Sequence, residues 1–114
     1  MYNQRYGNKF GAKKTFFKDR RYDSKKEAGV AQELELLKKA GEIKEIIPQF
    51  KLDLKVYGKH ICNYYVDFKV INKDGSIEYI EVKGLEMPLW KMKWRLAEVI
   101  LNEEEPGSKL TVIK

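Results

Sequence analysis

The 114 residues suffice for one domain, and an apolar fraction of 43% suffices for one core of two layers. No run approaches the length of a membrane span, the polar, basic N-terminus is unlike a secretory signal, and a single cysteine, Cys62, excludes an internal disulfide or a cysteine-built zinc cage. Residues 1–26 hold nine Lys/Arg against two Asp, so the net charge of +6 comes entirely from this end, and the expected setting is the cytoplasm.

Residues 1–21 show no clean periodicity and read as an extended basic arm, with Tyr2, Tyr6, Phe10, Phe16 and Phe17 among Lys13, Lys14, Arg20 and Arg21. Basic charge interleaved with rings suits a phosphate backbone and unstacked bases, ahead of the bland alternative of a solubilising tail. Ser24 then begins a helix, with Glu27 three residues on in capping-box spacing. Ala28, Ala31, Leu34 and Leu37 form its apolar stripe and Gly41 ends it. Glu27 lies on that inward face, whereas Glu33 is expected on the solvated side. Lys25 and Lys26 join the basic group at the helix start.

A short strand over 42–47 is expected to break or bend at Pro48, and an alternating strand follows over 49–56. After a turn at Tyr57-Gly58-Lys59 comes a strand over 61–71. The turn Asn72-Lys73-Asp74-Gly75 joins it to a partner over 76–82. A second helix runs from Leu89 to about Leu101 with Trp90, Trp94, Ala97 and Leu101 inward. An acidic loop over 102–108 and a strand over 110–113 close the chain. This order predicts a mixed α/β sheet flanked by helices.

Three residues on the hairpin carry chemistry: Asp67, Glu81 and Lys83. Strand side chains two apart share a face, so Val66, Phe68 and Val70 fall on one and Asp67 and Lys69 on the other. Glu81 and Lys83 likewise share a face of the next strand, which brings Asp67 and Glu81 together near one end. Close carboxylates repel unless neutralised, and a divalent ion with oxygen ligands is one remedy. The other reading is a pair of exposed acids bridged to Lys69 and Lys83. His60 beside a turn reads as an exposed loop residue, Cys62 as a small core residue, and Trp90 and Trp94 as core packing.

Val66-Asp67-Phe68, a hairpin, and then Ile80-Glu81-Val82-Lys83-Gly84 resemble the core of the PD-(D/E)XK nucleases, with Val66 in place of the nominal proline. Ser24-Lys25-Lys26-Glu27 resembles the helix that brings a further Glu in archaeal-type Holliday junction resolvases. Together with Tyr22-Asp23, Ala28, Leu34, Gly41-Glu42-Ile43 and Gln49-Phe50, these segments look like a family of small phage-encoded proteins of unknown function placed in that superfamily. The resemblance covers roughly residues 20–100. It implies a restriction-endonuclease-like core over 22–114, preceded by the arm over 1–21. It implies Asp67, Glu81 and Glu27 as ligands of Mg2+ or Mn2+, Lys83 as catalytic lysine and Gln49 beside the site. The implied activity is a DNA endonuclease acting on branched DNA such as a four-way junction, as a homodimer, in the cytoplasm of a bacterial host. Lys13, Lys14, Arg20, Arg21, Lys25, Lys26, Lys91 and Lys93 are expected to touch the DNA. The alternative is a non-catalytic DNA-binding or packaging accessory protein with the same fold.

Overall fold

A computed structural model of the protein describes residues 15–17, 20–22 and 24–114. Lys13 and Lys14 of the basic arm lie outside the described residues, as do the side chains of Arg20 and Arg21. Within the segment read as an arm, β1 (Thr15–Phe17) and β2 (Arg20–Tyr22) pair antiparallel and lie beside helix α1 (Lys25–Lys39). Ser24 caps α1, its Oγ accepting the Glu27 N–H at 3.1 Å. Gly41, at φ +85°, closes the other end. There the Glu42 N–H reaches the Leu37 carbonyl and the Gly41 N–H the Lys38 carbonyl, a Schellman motif.

The buried face of α1 is Glu27, Ala28, Val30, Ala31 and Leu34. Leu37, expected in that stripe, is exposed and only borders a groove with Leu34, Ile43 and Val70, while Val30 takes an inward place. The inward face therefore sits one step round from the simple stripe, centred under the N-terminal half of the helix.

Four strands make the main sheet, in the order β3 (Ile43–Val56), β4 (Lys59–Asn72), β5 (Ile77–Val82) and β6 (Lys109–Ile113). The first three are antiparallel hairpin neighbours; β6 runs parallel to β5. A parallel pair needs a crossover, and α2 (Pro88–Glu104) supplies it. Pro88 sits in its first turn, where a missing N–H costs nothing. The helix continues to Glu104, so residues 102–104 are helical rather than loop; the Tyr79 hydroxyl donates to Glu105 at 2.8 Å and ties this end to β5. Pro48 does not break β3, because β3 is an edge of the sheet and an edge strand can spare one donor. No helix among the described residues is long and apolar enough to cross a membrane.

The core has two halves, one on each side of the sheet, so the domain has three layers and not the two that its length suggested. Ala28, Val30, Ala31 and Leu34 of α1 pack on Ile43, Phe68, Val70 and Ile80. Trp90, Trp94, Ala97, Ile100 and Leu101 of α2 pack on Leu52, Leu54, Tyr64, Val66 and Tyr79. In β5 the division follows the pleat: Ile77 and Tyr79 face α2, Ile80 and Val82 face α1.

In β3 and β4 the division breaks the pleat. Val66 belongs to the α2 half and Phe68 to the α1 half, although they are two residues apart. On β3, Ile46 packs with α1 and Phe50 with α2. Both strands therefore switch face at the same level, and their register there is unshifted, with Pro48 opposite Phe68 and Phe50 opposite Val66. Between them sits Gln49, a non-glycine residue at φ +50°. The shared face expected for Val66, Phe68 and Val70 is thus corrected. β5 pairs with β4 only as far as Phe68, and beyond that point β3 and β4 form a two-stranded ribbon, which twists more than a full sheet.

Candidate active site

The chemistry-bearing residues gather where the ribbon switches face. Phe68 pairs with Ile80, which sets Asp67 next to Glu81 across β4 and β5. Both are 2% exposed. Asp67 Oδ2 accepts the Val82 N–H at 2.7 Å, and Oδ1 accepts from Gln49 Nε2 at 3.3 Å. The same Gln49 amide donates to Glu27 Oε2 at 3.3 Å, so one side chain joins the acid of α1 to the acid of β4. Glu27 is buried and Glu33 is exposed, which leaves Glu27 as the acid that α1 brings to the site.

This burial rules out a pair of ordinary surface ion pairs. Lys69 lies over the Phe50 ring at 4.4 Å instead of pairing with Asp67 across the surface. Lys83 does approach Glu81, Nζ to Oε2 at 3.6 Å, with its ammonium 5.3 Å above the Trp90 ring. One partially exposed lysine thus faces a carboxylate that is almost fully out of water.

Burial pushes the Glu81 carboxyl up to about 8, and the Asp67 charge adds to the rise, against the pull of Tyr64 and Lys83. Burial also raises the Tyr64 phenol, with the Glu81 charge second.

Tyr64 was not among the residues that sequence reasoning singled out. Its hydroxyl donates to Glu81 Oε1 at 2.7 Å and accepts from Trp90 Nε1 at 2.9 Å. By simple alternation Tyr64 falls on the face opposite Asp67; only the switch after Val66 brings it beneath Glu81, and nothing within β4 itself signals that switch. Trp90 packs in the core as expected, stacked on Trp94 at 5.8 Å, and its N–H is an added contribution.

Lys25 and Lys26 are exposed on the first turn of α1, and Lys91 is exposed on α2. Lys93 is half-buried, its Nζ 3.4 Å from the Asn63 carbonyl. His60 is exposed and hydrogen-bonds Asp53. Cys62 packs half-buried against the α2 half of the core.

Three carboxylates supply hard oxygen donors, which suit a magnesium- or manganese-like ion in kind. Among the described residues, however, no three Asp, Glu, His or Cys side chains are gathered into a ready-made ion-binding group. The donor chemistry fits a cation; the arrangement is not a closed cage.

Compared with known proteins, residues 7–105 match the model of a family described as "Protein of unknown function (DUF1064)". Searches of curated proteins and of solved structures returned no match.

Proposed function

The chain belongs to this family of unknown function, and we propose that it is a metal-dependent endonuclease that hydrolyses DNA phosphodiester bonds. The observation that carries the reading is the pair Asp67 and Glu81, adjacent across two strands, each 2% exposed, with Glu27 linked through Gln49 and Lys83 at the rim. A bound cation would offset the mutual repulsion of these buried carboxylates. The order of motifs supports a restriction-endonuclease-like core of the PD-(D/E)XK type, and the mixed sheet between two helices is compatible with it.

Each residue has a distinct task in this reading. Asp67, Glu81 and Glu27 hold Mg2+ or Mn2+; when bound, the ion supplies a water of lowered pKa and positive charge for the phosphate. Lys83 holds a proton-bearing ammonium at the rim, where it orients the incoming water or offsets charge on the phosphate oxygens. Gln49 keeps Glu27 and Asp67 in register with one another. The basic residues Lys13, Lys14, Arg20, Arg21, Lys25, Lys26, Lys91 and Lys93 hold the DNA backbone. Branched DNA, such as a four-way junction cut by a homodimer in the cytoplasm of a bacterial host, is the substrate we favour on the resemblance to resolvases.

The test is cleavage of linear, flapped and four-way DNA by wild type and Asp67→Ala, with and without Mg2+. Cutting that requires both Mg2+ and Asp67 is the expected result. Binding without cutting in every condition would instead favour the DNA-binding or packaging accessory protein.

A further inference from the structure

We infer that Tyr64 is a positioning residue for Glu81, fixing by its hydroxyl which of the two carboxylate oxygens faces a bound cation. The inference rests on the metal-site reading above. Glu81 Oε1 is taken by the Tyr64 hydroxyl at 2.7 Å, while Oε2 is the oxygen on the Lys83 side, at 3.6 Å. The carboxylate therefore has one oxygen tethered by the hydroxyl and one beside the Lys83 ammonium.

The tether is itself oriented. A hydroxyl carries one proton, and its direction is free unless something else fixes it. Trp90 Nε1 can only donate, and it donates to the Tyr64 oxygen at 2.9 Å. The Tyr64 proton must then point away from the indole, toward Glu81. Tyr64 is 1% exposed and Trp90 7%, so water does not compete for either group. The Tyr64 ring meets the Trp94 ring edge-on at 6.2 Å, and Trp90 stacks on Trp94. Hydroxyl, indole N–H and ring positions are all held by the same packed layer of α2. The chain Trp90, Tyr64, Glu81 runs from the hydrophobic core to the site in two hydrogen bonds.

Partners of this kind, behind a metal ligand, set the ligand's orientation, and their removal commonly weakens metal binding by about 10–100-fold. Tyr64→Phe removes the hydroxyl and keeps the ring; Trp90→Phe removes the donor that orients the hydroxyl. The measurement is Mn2+ affinity of the full chain by calorimetry, beside a thermal melt, and then kcat and KM on a four-way DNA. Tyr64→Phe should melt cooperatively, bind Mn2+ about 10–100-fold more weakly, and lower kcat with KM for DNA unchanged. Trp90→Phe should shift affinity in the same direction by less. Should Tyr64→Phe fail to melt cooperatively, Trp90→Phe decides on the same readouts.

Wild-type affinity for Mn2+ in a folded Tyr64→Phe would overturn the positioning role and leave the nuclease reading standing. So would an equal loss in KM and kcat. A wild-type chain that binds no Mn2+ would overturn the metal-site reading itself, and the inference with it.

Discussion

At φ +50°, Gln49 holds its Cβ in a backbone region disfavoured by about 1–2 kcal/mol for a side chain, and its amide joins Glu27 to Asp67. Strain and bridge sit on one residue, and two substitutions separate them. Gln49→Ala and Gln49→Gly both delete the amide, but only glycine relieves the strain. Urea unfolding should find Gln49→Gly the more stable of the two by about 1 kcal/mol, with both equally impaired in Mn2+-dependent cleavage. Equal stability would mean that the backbone at 49 carries no strain. Glu81 gives a second residue-scale prediction, for protein held in a chelator. Its folded pKa, about 8, lies above the ordinary 4.5, so the folded state binds the extra proton. Stability from this group is then full below about 4.5 and is lost as pH rises toward about 8. Denaturant midpoints between pH 5 and 9 should fall in wild type and fall less in Glu81→Gln. Matching slopes in the two proteins would refute the assignment.

The elements show which parts of the design local sequence carries. Capping at Ser24, the stop at Gly41, the Asp-Gly hairpin and the Trp90–Leu101 stripe are set by neighbouring residues, and each is where the pattern places it. Gly41 adopts a φ of +85° that only glycine enters without cost, so Gly41→Ala should lower stability by about 1 kcal/mol in denaturant titration while leaving cleavage unchanged. Pro48 leaves the strand unbroken, with Gln49 beside it at φ +50°, and the expected inward Leu37 fails, because both depend on the sheet: whether a strand is an edge, and how far the helix overlies it. The face switch in β3 and β4 is hidden for a stronger reason. Alternation runs through it without a missed step, and only packing against two helices reveals that the two sides have exchanged. For the same reason Asp67, Glu81, Lys83 and Glu27 were legible as candidates, while Tyr64 was not.

Across the whole molecule, charge is spread unevenly along the chain. Residues 1–26 carry +7 and the remainder −1, so the attraction for a partner with phosphates comes from the N-terminal segment. Replacing Lys13, Lys14, Arg20 and Arg21 by Ala should weaken DNA binding at low salt and flatten log K against log[salt] by about 0.9 for each phosphate no longer neutralised. An unchanged slope would remove the arm from the interface. The outer edge of β3 carries Pro48, exposed Lys44, Lys51 and Lys55, and irregular pairing at 43–45 and 54–55, devices that discourage edge-to-edge association. At this edge, protection therefore gives no reason to require a homodimer. The stacked indoles bear on something else. They are the only two tryptophans in the chain, and one of them lies under the Lys83 ammonium and donates to Tyr64. The protein's intrinsic emission is thus an optical reporter wired to the carboxylates. Mn2+ titrated into wild type should change fluorescence intensity in parallel with calorimetric binding, and Trp90→Phe should silence most of that signal while leaving the light from Trp94. Ions and small molecules could then be screened against the site by emission alone, without any assay of what the protein does to them.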